Sequence, residues 1–204
     1  MTNKKHIALS VPSFNGNEWK YVRDCIDTEW VSTAGKYVGL FEQKIVNYTN
    51  SRYAVATVNG TSALQISLIL AGIKREDEVL IPTLTFIAPV HAILYQNAVP
   101  VFMDIDQYCN LDVEKTIQFI EEETEFKNGI TINKKTGRKI GAVIPVHVFG
   151  NAVWLDELIN ICIERNIVII EDSCEALGTT YNSGVHLGKH AGTVGRSTTV
   201  YPAN

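Results

Sequence analysis

Short apolar runs alternate with stretches of helical periodicity along most of the chain, from residue 53 to residue 172. The runs are rich in Val and Ile and almost continuously hydrophobic, which is typical of strands buried on both faces. The predicted strands are residues 53–58, 78–82, 99–104, 142–146 and 167–172, and the predicted helices are residues 63–72, 89–97, 112–123 and 153–165. This alternation predicts an α/β fold, in which helices cover both faces of a mostly parallel sheet.

Two segments interrupt the alternation. Residues 121–139 are highly charged and contain the turn signals Asn128-Gly129 and Thr136-Gly137. We therefore expect a solvated β-excursion between a helix and the next strand. Residues 178–195 are rich in Gly and small polar residues, which favours a loop.

The composition is that of a globular protein, because 46% of the 204 residues are hydrophobic and 20% are charged. A formal net charge of -4 without a basic stripe argues against a nucleic-acid partner. The apolar runs are too short to span a bilayer, and no apolar segment follows Lys4 and Lys5 as it would in a signal peptide. The four cysteines have neither disulfide nor metal-ligand spacing. We therefore expect a soluble, cytoplasmic protein without a metal site.

Ligands of open parallel sheets bind beyond the carboxyl ends of the strands, and four segments of this chain fall at such ends. The first, Asn59-Gly60-Thr61-Ser62, offers helix N-terminal amides and two hydroxyls to a phosphate. Its alternative role is simple helix capping by Thr61 or Ser62. The second segment ends in Phe86, whose ring could stack on a flat cofactor or belong to the core.

The third segment, residues 145–150, contains His147, for which a buried imidazole with satisfied nitrogens is favoured over a ligand contact. The fourth, residues 171–176, contains Asp172 at the end of a strongly apolar strand. A carboxylate is costly to bury there unless a positive group, such as a protonated ring nitrogen, meets it. The alternative is a helix cap by Asp172.

Other motifs are absent or incomplete. No G-x-G-x-x-G follows the first strand and no G-x-x-x-x-G-K-[ST] occurs, which argues against dinucleotide and P-loop binding. His186 and His190 have i,i+4 spacing, but the loop around them supplies no third metal ligand.

Five segments of the chain, taken together, resemble the pyridoxal-phosphate-dependent sugar aminotransferases of the DegT/DnrJ/EryC1/StrS family. These segments are residues 30–36, 58–64, 77–86, 145–150 and 171–178. The resemblance runs from about Ile7 to Arg196. It implies the large domain of a fold-type-I transferase preceded by an N-terminal arm, with pyridoxal 5'-phosphate as cofactor and a homodimer as the assembly. Residues 1–204 would then hold the arm and an incomplete large domain, with the family's C-terminal small domain absent.

The opening of the chain and the 121–139 insertion are similar to the branch that makes 4-amino sugars on legionaminate or bacillosamine routes. That similarity implies a UDP-linked 4-keto-6-deoxy-2-acetamido hexose as substrate and glutamate as amino donor. The product would enter a surface polysaccharide.

The resemblance also implies roles for individual residues. Asp172 would pair with the pyridinium nitrogen, Glu175 would lie near the ring hydroxyl, where many relatives have Gln, and Phe86 would stack on the ring. The implied phosphate-binding residues are Gly60, Thr61 and Ser62, and the implied nucleotide-sugar-binding residues are Ser32, Thr33, Ala34 and Gly35.

The family's Schiff-base lysine has no counterpart before the last residue, Asn204. Relatives continue with a Ser-Phe-Asn-Gly-Asn-Lys-like strand, whereas Arg196 is followed here by Ser-Thr-Thr-Val-Tyr-Pro-Ala and then Asn204. We therefore expect no catalytic residue in this chain and little or no activity. A frameshift or a fragment boundary would explain the tail, and the abrupt loss of similarity favours the frameshift.

Three alternatives remain open at this point. The chain could be a non-catalytic remnant that binds pyridoxal phosphate or a sugar nucleotide, or an unstable fragment without a role. It could also be a dehydratase-like relative in which histidine replaces the lysine, although no histidine follows His190.

Overall fold

The computed structural model describes Ala8, residues 11–33, residues 35–195 and the backbone of residues 198–200. Two helices come first, α1 (Glu18–Asp27) and α2 (Lys36–Thr49), and the sequence analysis predicts neither of them. The apolar residues of α1 follow helical spacing, with Trp19, Val22 and Ile26 exposed on one side. Helix α1 buries no residue, so it lies outside the core of the domain.

Helices and strands then alternate, close to the predicted order. The elements are α3 (Gly60–Leu70), β1 (Glu78–Pro82), α4 (Ile87–Tyr95), β2 (Val99–Met103), α5 (Val113–Glu122), β3 (Thr124–Lys127), β4 (Ile130–Asn133), β5 (Lys139–Val143), α6 (Asp156–Glu164), β6 (Val168–Asp172) and β7 (Thr198–Val200). A single 3-10 turn, Val148–Gly150, lies between β5 and α6.

The strands form one sheet with a parallel centre. Strands β2, β1, β5, β6 and β7 lie side by side in that order, and each neighbouring pair is parallel. Strand β4 pairs antiparallel with the beginning of β5, and β3 pairs antiparallel with β4. The prediction of an α/β fold with a mostly parallel sheet is therefore confirmed.

Successive side chains of the central strands pack into two separate hydrophobic cores, one on each face of the sheet. Val79 and Ile81 pack with α3 and α4 on one face of the sheet, whereas Leu80 packs with α5 and α6 on the other. The same alternation sends Ile170 toward α3 and Ile169 toward α6. A helix layer on each face is what the nearly continuous apolar runs of the strands require.

The charged segment 121–139 contains a hairpin formed by β3 and β4. Asn128 and Gly129 make its two-residue turn, both at positive φ. The hairpin is not wholly solvated, because Thr131 and Asn133 of β4 are buried and β4 joins the main sheet through β5. The insertion therefore extends the sheet.

Residues 53–58, predicted as a strand, are not in one, and that prediction is wrong. Tyr53, Val55 and Val58 are exposed, and none of the described strands pairs with the segment. The segment is linked to α2 by the Ala56 N–H, which donates to the Glu42 carboxylate at 2.9 Å. An apolar run shows that a segment suits a sheet, but it does not show which strand would supply the hydrogen bonds.

Among the described residues, no helix is both long and apolar enough to cross a membrane.

Candidate functional site

The carboxyl ends of the central parallel strands and the N-terminus of α3 meet at one edge of the sheet. Strand β6 ends at Asp172, and residues 145–147 continue β5 beside it. Helix α3 packs against β6 and β7 on the face toward which Ile170 points. Because alternate residues of a strand point to the same face, Asp172 also faces α3.

The N-terminus of α3 is fixed by Asn59, not by Thr61 or Ser62. The Asn59 side chain accepts the Ser62 N–H at 2.8 Å, and the helix begins at Gly60, three residues earlier than predicted. The simple capping role considered for Thr61 and Ser62 is therefore wrong. The first N–H groups of an α-helix lack intrahelical partners, so Gly60 and Thr61 offer their amides to an anion at this edge.

Gly60 and Cys174 bring α3 and the end of β6 into close contact. A β-carbon on Gly60 would lie 2.9 Å from the Cys174 Sγ. Burial, followed by the charge and hydrogen bond of Asp172, raises the pKa of the Cys174 thiol, so the thiol stays protonated at neutral pH. Glycine at position 60 thus allows the first turn of α3 to approach the turn that follows Asp172.

Asp172 is 4% exposed and does not cap a helix, which corrects the alternative considered for it. Its Oδ1 accepts the Cys174 N–H at 3.1 Å in a tight turn. Among the described residues, no basic side chain forms an ion pair with Asp172. A buried carboxylate of this kind suits a cationic ligand group at the edge of the sheet.

Two further polar groups near this edge are buried without a hydrogen-bond partner among the described residues. They are the hydroxyls of Ser173, which follows Asp172, and of Thr85, which follows β1. Phe86 is 81% exposed beside Thr85, so it is not a core residue. An exposed ring, orphaned hydroxyls, helix amides and a buried carboxylate together fit a flat, phosphorylated and cationic ligand such as pyridoxal phosphate.

Glu175 contacts the turn that follows β5. Its Oε2 accepts the Phe149 N–H at 2.8 Å, while Phe149 has the left-handed φ of 52° and an exposed ring. Phe149 could not be identified from the sequence, because a left-handed backbone at a non-glycine residue leaves no compositional trace. Glu175 therefore links two of the predicted segments, residues 145–150 and 171–176.

His147 is a buried imidazole with both nitrogens hydrogen-bonded, as favoured from the sequence. Its Nδ1 accepts the Val153 N–H at 3.0 Å and its Nε2 lies 3.0 Å from the Glu171 Oε2. Sequence reasoning misses the role of Glu171, which is fully buried. The available signal was a second carboxylate directly before Asp172, in a run that is otherwise apolar.

The residues predicted to bind the nucleotide sugar lie between α1 and α2. Ser32 and Thr33 are exposed, Gly35 precedes α2, and Ala34 lies outside the described residues. Ser32 lines a cavity of about 570 Å³ formed mainly by apolar residues of α1 and α2, such as Ile26 and Phe41. None of the predicted cofactor residues lines that cavity, so the structure does not join the two predicted sets.

The tail, in which the sequence analysis finds no Schiff-base lysine, lies largely outside the described residues. Residues 196 and 197 and residues 201–204, which end at Asn204, are not among them, and only the backbone of residues 198–200 is described. No lysine occurs between Lys189 and Asn204 in the sequence. The expectation that this chain holds no catalytic residue therefore stays a prediction from the sequence.

The loop with His186 and His190 shows no metal-site geometry. His186 Nε2 lies 3.4 Å from the Asp156 carboxylate, and the His190 ring lies against Tyr48. No group of three or more His, Cys, Asp or Glu within the described ranges could hold a metal ion.

Comparison with known proteins gives a consistent result. The model of the DegT/DnrJ/EryC1/StrS aminotransferase family matches residues 12–201. The chain is 36% identical over 191 residues to GDP-perosamine synthase of Escherichia coli O157:H7, covering 94% of this chain and 47% of that protein. The chain thus spans about half the length of such curated relatives.

Solved structures agree. An aminotransferase from Psychrobacter cryohalolentis has a TM-score of 0.74 and 27% identity, covering 90% of this chain and 42% of that one. E. coli GDP-4-keto-6-deoxy-D-mannose-3-dehydratase with bound hydrated PLP has a TM-score of 0.73 and 26% identity, covering 92% and 44%. With a family match along almost its whole length and the matching fold-type-I architecture, the chain belongs to the DegT/DnrJ/EryC1/StrS aminotransferase family.

Proposed function

We propose that this chain is the cofactor-binding part of a pyridoxal-phosphate-dependent aminotransferase that acts on a nucleotide-linked keto sugar. The observation that carries the proposal is Asp172, a buried carboxylate without a basic partner among the described residues, which faces the N-terminus of α3. The bound PLP named for the E. coli dehydratase structure supports the choice of cofactor.

Pyridoxal phosphate would supply an electron sink for moving an amino group between an amino acid and a keto sugar. In the proposed site, Asp172 holds the proton on the ring nitrogen, because an adjacent carboxylate favours the charged form of that nitrogen. Gly60, Thr61 and Ser62 bind the phosphate at the helix N-terminus. Phe86 covers one face of the ring and excludes water from it.

Glu175 is proposed to lie near the ring hydroxyl. One of its carboxylate oxygens already accepts the Phe149 N–H, which fixes the side chain and leaves the other oxygen for a ligand. In this role Glu175 orients the ring and couples its position to the turn at Phe149.

The proposed substrate is a UDP-linked 4-keto-6-deoxy-2-acetamido hexose, with glutamate as amino donor and a surface polysaccharide as the destination. The support is the likeness of the N-terminal sequence and of residues 121–139 to that branch of the family. Ser32, Thr33, Ala34 and Gly35 are proposed to contact the nucleotide sugar. Because none of the proposed cofactor residues lines the cavity that Ser32 lines, a second copy of the chain in a homodimer is proposed to bring the two sets together.

A GDP-linked sugar is the second candidate substrate. Three curated relatives with 34% to 38% identity are GDP-perosamine synthases, which supports GDP as the nucleotide of this second candidate. Competition between UDP- and GDP-sugars for the same chain decides between the two candidates.

The proposed organisation is an N-terminal arm, with α1, followed by the cofactor-binding large domain. The proposed compartment is the cytoplasm. Its support is that all four cysteines are free thiols, which is typical of proteins in reducing compartments.

Cofactor binding is the decisive measurement, because no lysine follows Lys189 in the chain. Pyridoxal phosphate is titrated into the purified chain, and binding is followed by quenching of tryptophan fluorescence. Asp172→Asn should weaken binding about tenfold to a hundredfold, the worth of one charge-assisted hydrogen bond. The matched control is Asp104→Asn, which changes an exposed carboxylate just beyond β2 that pairs with Lys115.

Equal affinity of the wild-type chain and Asp172→Asn would overturn the proposal, and so would no detectable binding by the folded wild-type chain. Loss of affinity in Asp104→Asn as well would show a general charge effect and would likewise remove the support for Asp172.

A further inference from the structure

His147 and Glu171 form a fully buried pair one residue away from Asp172. Both side chains have 0% exposure, and Nε2 of His147 lies 3.0 Å from Oε2 of Glu171. The Val153 N–H donates to Nδ1 of the same ring at 3.0 Å, so Nδ1 is an acceptor. The ring proton is therefore on Nε2, from which a neutral imidazole donates to the Glu171 carboxylate.

The Glu171 carboxylate also accepts hydrogen bonds from the segment that precedes β7. Its oxygens accept the N–H groups of Gly192 at 2.8 Å, Val194 at 2.7 Å and Gly195. A β-carbon on Gly195 would lie 3.1 Å from the carboxylate, so glycine permits this close approach. Together with His147, the carboxylate has four donors, which is enough to satisfy it in the absence of water.

Backbone hydrogen bonds also connect the segment that contains His147 to Asp172, the residue that follows Glu171. The His147 N–H donates to the Asp172 carbonyl at 3.0 Å, and the Asp172 N–H donates to the Pro145 carbonyl at 2.9 Å. On its other side, Asp172 pairs in register with Val200 of β7. The strand that flanks Asp172 on that side thus begins just after the segment that Glu171 holds.

We infer that Glu171 and His147 are positioning residues, which fix the backbone that carries Asp172 from the opposite face of the sheet. Glu171 points toward the α5 and α6 face, and Asp172 points toward α3, because neighbouring residues of a strand alternate. The Glu171 carboxylate thus anchors the sheet edge, and the Asp172 carboxylate faces the ligand. This inference rests on the proposed binding of pyridoxal phosphate near Asp172.

A second buried glutamate provides a matched control. Glu78 is 1% exposed at the beginning of β1, at the opposite end of the parallel strands. Its two oxygens accept hydrogen bonds from Asn133 Nδ2 and Thr136 Oγ1, both at 2.7 Å. Like Glu171, it anchors a following segment through a buried carboxylate, but that segment is the β3–β4 insertion. Substitution of either glutamate should therefore destabilise the fold, so a loss of stability by itself does not distinguish Glu171 from Glu78.

The test compares Glu171→Gln with Glu78→Gln in the full chain. A glutamine at 171 turns its NH2 group toward one of four donors, so at least one of those contacts is lost. We expect faster hydrogen exchange at the amides of Asp172, Gly192, Val194 and Gly195. We also expect the affinity for pyridoxal phosphate to fall about tenfold or more, the usual effect of removing the partner that orients a site residue. Glu78→Gln should leave both readouts within about twofold of wild type.

Two His147 variants keep the inference testable if Glu171→Gln does not fold. His147→Gln retains an N–H donor for Glu171, whereas His147→Leu has a similar size and no donor. We expect pyridoxal phosphate binding and slow exchange at Asp172 to be largely rescued by glutamine and lost with leucine. Equal behaviour of the two variants would overturn the positioning role.

The outcomes separate this inference from the proposed function. If wild type binds pyridoxal phosphate and folded Glu171→Gln binds it equally well, the positioning role is wrong and the proposed function stands. If wild type does not bind it, the proposed function fails, and hydrogen exchange at Asp172 alone decides: unchanged exchange in Glu171→Gln overturns the inference.

Discussion

Gly60 and Cys174 are so close that a β-carbon on Gly60 would lie 2.9 Å from the thiol sulfur. This contact joins the N-terminus of α3 to the turn that follows Asp172. In the proposed site, α3 binds the phosphate group of the ligand and Asp172 binds its ring nitrogen. The contact between Gly60 and Cys174 therefore fixes the two binding elements relative to each other.

Gly60→Ala is expected to destabilise the fold by about 1–3 kcal/mol, because overpacking outweighs the better helix propensity of alanine. Removing the sulfur with Cys174→Ala should make room for the new methyl group. Urea unfolding of both single variants and the double variant measures the coupling between the two positions. Additive effects of the two substitutions would show that the sulfur is not the obstacle.

Asn59 separates the stability of α3 from the charge at its N-terminus. Asn59→Ala removes the hydrogen bond to the Ser62 N–H and should cost about 1 kcal/mol of unfolding free energy. Asn59→Asp keeps the cap, so stability should be retained or slightly raised. The new negative charge should nevertheless weaken pyridoxal phosphate binding, by repulsion of about 1 kcal/mol if the phosphate lies at this helix end. Thermal unfolding and cofactor titration of the three proteins check these expectations. Unchanged affinity in Asn59→Asp would place the phosphate elsewhere.

The strands at residues 78–82, 99–103 and 168–172 could be predicted from the sequence, because each is a largely apolar run. The first and the last are buried on both faces, whereas the strand at residues 99–103 is mostly half-buried. The run at residues 53–58 has the same composition and is exposed. Hydrophobicity indicates that a segment suits burial, whereas its pairing with another strand depends on residues far away in the chain. The same limit explains why Asp172 could be identified while its anchoring through His147 could not.

Helix positions show a related limit. Asn59-Gly60-Thr61-Ser62 is a turn-like sequence, yet only its first residue lies outside α3, because the Asn59 side chain starts the helix there. A capping side chain and a turn residue have the same composition, so the boundary depends on the hydrogen bond that forms.

Phe149 carries backbone strain that a glycine would remove. Its φ of 52° is left-handed and its ring is 80% exposed, so the ring gains little from burial. Phe149→Gly should therefore be more stable than Phe149→Ala by about 1 kcal/mol, because alanine keeps the strained β-carbon. Chemical denaturation of the two variants measures the difference. Greater stability of the alanine variant would mean that the conformational freedom of glycine in the unfolded chain dominates.

Glu171 should make the stability of the fold depend on pH in the acid range. Burial raises the pKa of its carboxyl group, but the hydrogen bonds from His147, Gly195 and Gly192 outweigh burial and lower the pKa below its ordinary value of 4.5. The groups that face the carboxylate are the His147 imidazole, the Tyr181 phenol and the amides of Gly192, Val194 and Gly195. Burial, and then the charge of Glu171, raises the pKa of the Tyr181 phenol.

A carboxyl group with a lowered folded-state pKa stabilises the fold above its unfolded-state pKa, and this contribution is lost as the pH falls through the folded-state value. Wild type should therefore lose unfolding free energy as the pH falls from about 5 through 4.5 and below. Glu171→Gln starts from a lower stability and lacks this titration, so its loss over the same range should be smaller. The free energy of unfolding in urea, measured at intervals from pH 7 to the acid limit of folding, gives both curves. Parallel curves would mean that Glu171 has the same pKa in the folded and the unfolded chain, and that the hydrogen bonds from His147, Gly195 and Gly192 do not lower it.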